Sequence, residues 1–146
     1  MNNIKDSPQS SKPDLPLAAA NSRPRRPRLY NTNPRLGPIV RLYVFVLPLT
    51  NSDLLKWADD NQLAPEKTDH NRTYLAWKAI FRILPEDCRR HALVNIERGA
   101  ILNSIVVATN ETPEDLERAN DKEIIKAVQK AVGVYTPPKW YKPERV

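Results

Sequence analysis

Apolar residues are sparse in this chain before Leu36, and from Ile39 onward they become dense. The run Ile39-Val40-Arg41-Leu42-Tyr43-Val44-Phe45-Val46-Leu47 is rich in β-branched and aromatic side chains and ends at Pro48, which predicts a strand. Its alternate positions are apolar on both sides: Leu42, Val44 and Val46 on one face, Tyr43, Phe45 and Leu47 on the other. Such a strand belongs in the middle of a sheet. Asn51-Ser52-Asp53 then offers a helix cap, followed by the short stripe Leu54, Leu55, Trp57, Ala58. Beyond Pro65, Thr68 or Asp69 caps a second helix. Its stripe of Tyr74, Trp77, Ile80, Phe81 and Leu84 advances in helical steps until Pro85 stops it.

Two further strand-like runs, 92–96 and 100–109, flank Arg98-Gly99 and predict a hairpin. Ile101, Leu102, Ile105, Val106 and Val107 again place apolar groups on both faces, so this run is expected to be central too. Thr112-Pro113-Glu114-Asp115 is a strong helix start: a capping hydroxyl, a proline at the first turn, and two acids against the positive end of the dipole. Leu116, Ile124, Ala127, Val128 and Ala131 form the stripe of that helix, and Gly133 closes it. Val134-Tyr135-Thr136 is read as a short closing strand before Pro137-Pro138, and 138–146 as a polar tail.

The order β-α-α-β-β-α-β predicts an α+β fold, specifically a ferredoxin-like split βαβ sandwich with the first and third strands innermost. Helices would cover one sheet face. The other, carrying Tyr43 and Phe45, would stay open to a partner or a second copy, because exposed apolar faces of that size are usually interaction surfaces.

Charge and proline usage divide the chain. Residues 1–41 carry eight basic and two acidic side chains, whereas 42–146 carry fifteen of each, so the whole net charge of +6 lies in the N-terminal segment. Seven of the fourteen prolines lie there as well, and each removes a backbone donor and fixes φ. Residues 1–37 are therefore expected to be a disordered, basic, proline-rich arm, and 38–137 a single domain. Within the arm, Arg23-Pro24-Arg25-Arg26-Pro27-Arg28 sets Arg23, Arg25, Arg26 and Arg28 in an extended cluster suited to phosphate backbones, anionic surfaces or an import receptor. Pro24-x-x-Pro27 is a minimal polyproline docking pattern, and Ser7-Pro8 a minimal phosphorylation pattern.

Candidate chemistry is thin. A single cysteine excludes an internal disulfide and a cysteine-rich zinc module. Cys88-x-x-His91 supplies two ligand types without a second pair to close a metal site. As nucleophile and base, the same pair has only Glu86 and Asp87 near it. Gly37, Gly99 and Gly133 are isolated, so no glycine-rich phosphate loop can form. An RNA-recognition motif would need alternating aromatics after Arg98-Gly99, and Ala100, Ile101, Leu102 and Asn103 supply none. No apolar run reaches the length of a membrane span, and the first thirty residues hold no leader-like apolar core. The expectation is an intracellular protein, cytoplasmic or nuclear.

These observations point to a small non-enzymatic interaction protein with no cofactor or metal. Tyr43, Phe45, Ile101 and Ile105 are the expected contacts for a protein partner or a homodimer, and the four arginines the expected attachment arm. The alternative is a nucleic-acid-binding accessory protein that acts mainly through the arm. A Cys88/His91 enzyme is a third reading.

Overall fold

The strand that opens the domain is shorter than its apolar run. In the computed structural model of the chain, which describes residues 21–23, 25–97 and 99–144, β1 spans Val44–Pro48. Two turns of local chemistry fix the first helix, α1 (Asn51–Asp60). The cap is Thr50 rather than Asn51-Ser52-Asp53, in a reciprocal box: Asp53 N donates to Thr50 Oγ1 at 3.0 Å, and Thr50 N donates to Asp53 Oδ2 at 2.9 Å. Helix α2 (Asp69–Ile83) is capped by Thr68 and ends ahead of Pro85. Strands β2 (His91–Glu97) and β3 (Ala100–Thr109) pair as the expected hairpin, turning through Gly99 at φ 72°. Arg98 of that turn lies outside the described residues.

The helix expected to run from Thr112 to Gly133 is two helices, α3 (Pro113–Arg118) and α4 (Lys122–Val132). Asp121 divides them. Its carboxylate accepts from the N–H groups of Glu123 at 3.0 Å and Ile124 at 3.2 Å, so it caps a new helix instead of populating the outer face of a continuous one.

The closing strand also differs from expectation. It is β4 (Lys139–Tyr141), paired antiparallel with β1, and not 134–136. The Gln129 side chain occupies the Tyr135 and Thr136 carbonyls, at 3.2 and 3.0 Å. Beyond the prolines, Trp140 and Tyr141 are both buried. Two large aromatics gain more by burial than the Val134-Tyr135-Thr136 segment could offer. The segment read as a polar tail is thus part of the core.

The described residues form an α+β domain with four α-helices and a four-stranded, fully antiparallel sheet ordered β2-β3-β1-β4, with β1 and β3 innermost. None of the helices among the described residues is long and apolar enough to cross a membrane.

The sheet faces are the main correction. Leu47, Ile105 and Val107 pack under Leu54, Ile80, Leu84 and Val128, with Phe45 against the same cluster. The face expected to be open is therefore the one the helices cover. On the opposite face Val44, Val46, Val94, Ile96, Val106 and Tyr141 form a second cluster, buried although none of the described helices contributes to it. The sheet curls around this cluster. The chain leaving β4 reaches the far edge, where Pro143 bridges Val94 and the Glu144 N–H donates to Leu93 O at 2.8 Å. A slip in register between Phe45 and Val46 accompanies the curl. The Asn21 side chain also donates to Asn95 O, at 3.0 Å. Both ends of the described chain thus close on β2.

Candidate functional site

The part of the expected disordered arm that falls on 1–20 and Pro24 lies outside the described residues. The remainder is bonded to the domain. Arg23 N donates to Trp140 O at 2.8 Å, extending the sheet beyond β4, and Tyr30 N donates to Asn110 O at 2.7 Å. Pro27 is buried.

Asn110 organises this seam. It follows β3 directly and is fully buried, yet every polar group it carries is used. Its Oδ1 accepts from Tyr43 N at 2.7 Å, and its Nδ2 donates to Arg28 O at 2.9 Å and Arg41 O at 2.8 Å. One side chain therefore stitches the arm at Arg28, and the approach to β1 at Arg41 and Tyr43, to the end of β3. An asparagine can do this because its amide carries two donors and a two-lone-pair acceptor in a single plane. In the sequence Asn110 reads as ordinary strand-end polarity, so nothing marks it out.

Around this seam the structure gathers some of the expected residues and separates others. The Arg23 guanidinium lies over the Tyr43 ring, 4.6 Å from its centroid, and donates to the Tyr43 hydroxyl at 3.1 Å. The Phe45 ring is 5.0 Å from that of Trp140. Arg26 makes an exposed ion pair with Glu117 at 3.4 Å. A groove of about 670 Å³ runs between arm and domain, lined by Arg23, Arg26, Phe45, Lys139 and Trp140 among others. Arg25 and Arg28, outside its lining, are exposed.

Ile101 and Ile105 are not part of this surface. Ile101 is exposed at the opposite end of β3, opposite Asn95. Ile105 is 0% exposed beneath the helices and cannot touch a partner. Its position on β3 alternates with Val106, and the curl and the helices bury both.

The Cys88/His91 pair is not assembled. Cys88 is buried with its Sγ directed at Val107 O, 4.0 Å away, whereas His91 is exposed and its Nδ1 faces Asn103 Oδ1 at 3.1 Å. Burial pushes the Cys88 thiol up to about 11, against the opposing pull of Arg90 and Arg118. It is a protonated core thiol at neutral pH.

The strongest charge cluster lies between the end of β3 and α3. Arg90 grips Asp115 with two hydrogen bonds, 2.9 and 3.1 Å, Thr109 Oγ1 donates to its Oδ2 at 2.6 Å, and Arg118 Nη1 donates to its Oδ1. Burial works against the Asp115 charge, but these donors and the two arginine charges outweigh it and hold the carboxyl below its ordinary value. With both oxygens occupied, this group is a structural clasp between β3, α3 and the 3-10 turn Glu86–Cys88.

Comparison with protein-family models, with curated proteins and with solved structures finds no match to this chain.

Proposed function

We propose that this chain is a non-enzymatic binding protein that attaches to a polyanionic partner through its arginine arm, with the α+β domain as the platform that holds the arm. The observation that carries this reading is the stitching of the arm to Asn110, Tyr43 and Trp140, which leaves Arg25 and Arg28 exposed on an ordered surface. Cations displayed on a held surface lose less freedom on binding than cations on a loose chain. The sheet-face version of an interaction module has less support, because the two faces of β1 and of β3 from Ser104 onward are largely buried within one copy. We further propose that the fold is a ferredoxin-like split βαβ sandwich. Its support is the strand order β2-β3-β1-β4 with helix pairs between β1 and β2 and between β3 and β4.

Heparin binding of the full chain across a salt series tests the functional reading. Affinity should fall linearly on a logarithmic salt axis, and Arg25→Ala with Arg28→Ala should flatten that slope by about two released counterions. Binding that ignores salt, or an unchanged slope in the double variant, would reject the arm as the attachment surface.

A further inference from the structure

We infer that the hairpin at 29–40 inserts into an anionic lipid surface, Leu36 and Ile39 entering between the headgroups while Arg28, Arg35 and Arg41 meet phosphates around them. The inference rests on the arm as the polyanion-binding element and names its partner.

Four of the eight exposed large apolar residues among those described lie within eleven positions: Leu29 (42%), Tyr30 (37%), Leu36 (78%) and Ile39 (55%). Single exposed apolar residues need no explanation, but such a concentration on one loop does. Nor is the loop a frayed end. Asn31 and Val40 exchange backbone hydrogen bonds at 3.1 and 2.9 Å, and Asn31 Nδ2 reaches Gly37 O and Pro38 O at 3.3 and 2.9 Å. Asn33 caps the 3-10 turn Pro34–Leu36 by accepting from Arg35 N at 2.9 Å. Gly37, at φ 136°, takes a backbone conformation that side-chain-bearing residues avoid. The exposed apolar groups are therefore presented by a built loop.

The charge along this stretch of chain has one sign. Residues 15–52 contain six arginines and no acidic residue, and of these Arg26 is paired with Glu117 while Arg28, Arg35 and Arg41 are exposed. Apolar insertion and electrostatic attraction together are what an anionic bilayer rewards, each alone being marginal. The composition of the loop favours a bilayer over nucleic acid. Two aliphatic side chains lead it and Tyr30 is its one aromatic, whereas single-stranded nucleic acid is held by stacking on aromatic faces.

The test uses the full chain, with co-sedimentation on phosphatidylcholine vesicles and on vesicles of equal parts phosphatidylcholine and phosphatidylserine. Heparin and a DNA duplex serve as parallel probes. Binding is expected on the mixed vesicles and not on pure phosphatidylcholine. The double variant Leu36→Asn/Ile39→Asn keeps every charge, and both its positions are exposed, so the fold is unaffected. It should bind the mixed vesicles about tenfold or more weakly while retaining its affinity for heparin. Undiminished vesicle binding by that variant would overturn the insertion. Binding to heparin or duplex without binding to vesicles would overturn the lipid partner and leave the arm reading standing. Failure on all probes would overturn both.

Discussion

Asn110 and Tyr43 hold each other from both sides: the Tyr43 N–H donates to Asn110 Oδ1 at 2.7 Å, and the Asn110 N–H donates to Tyr43 O at 3.3 Å. The pair ties the last residue of the arm's approach to the residue after β3. It also sets the Tyr43 ring where the Arg23 guanidinium stacks on it. Attachment of the arm thus involves an amide as well as the arginines themselves.

Asn110→Ala tests this relationship. It strands the Tyr43 N–H and the Arg28 and Arg41 carbonyls, and part of that loss is recovered by water, so the expected cost is about 2–3 kcal/mol in urea unfolding. Tryptic cleavage after Arg28 and Arg35 should accelerate more than cleavage within the helices. An arm that is cut no faster than in the parent would show that its hold lies elsewhere.

The Asp115 clasp predicts an acid-side dependence. A carboxyl held below its ordinary value contributes stability that is complete above that value and is lost as the pH falls through the lower, folded one. Asp115→Asn should therefore cost about 2 kcal/mol at neutral pH, a figure reduced because Arg90 is 37% exposed and partly screened. The gap between variant and parent should narrow as the pH falls below the ordinary carboxyl range and through the lower, folded one. A gap independent of pH would mean that Asp115 acts by shape and not by charge.

Cys88 and Tyr141 predict the opposite limb. Burial pushes the thiol to about 11 and the phenol to about 12, so each favours the folded chain while neutral. That contribution is complete below the ordinary values and is lost as the pH rises through the folded ones. Stability should decline from about pH 9 upward, less steeply in Cys88→Ala than in the parent. Iodoacetamide at pH 8 should label native protein only as fast as it opens. Labelling at the rate of a small free thiol would contradict the buried placement.

Trp140 predicts that the segment after the paired prolines is indispensable. The residue is 5% exposed, its ring packs at a tilt against that of Phe45, and it belongs to a strand bonded to β1. Trp140→Ala should cost about 3–5 kcal/mol, read from denaturant midpoints. A chain ending at Pro138 should lose the cooperative transition, since it would lack Tyr141 from the cluster inside the curl. Normal cooperativity in the shortened chain would return that segment to the status of a tail.

Local chemistry alone carried much of the element inventory. Alternating apolar residues marked β1 and β3 as the inner strands, Thr68 and Thr112 marked helix starts, and Gly133 marked a helix end, because caps and periodicities act within a few residues. The same locality explains what went unread. Asp121 is an outer-face acid or a cap depending only on whether the helix breaks before it. Trp140-Tyr141 is a polar tail or a core strand depending on what lies across from it. Which face of β1 is covered, and whether the other stays open, depended on the curl that brings Pro143 to Val94. Asn110 became a hub only because two distant backbone segments, at Arg28 and at 41–43, converge on it. The sequence determined where β1 to β3 and the first two helices form and where the positive charge lies. The tertiary structure decided which apolar face meets helices, and that the arm rests on the domain, since burial and hydrogen-bond satisfaction are settled by neighbours far away along the chain.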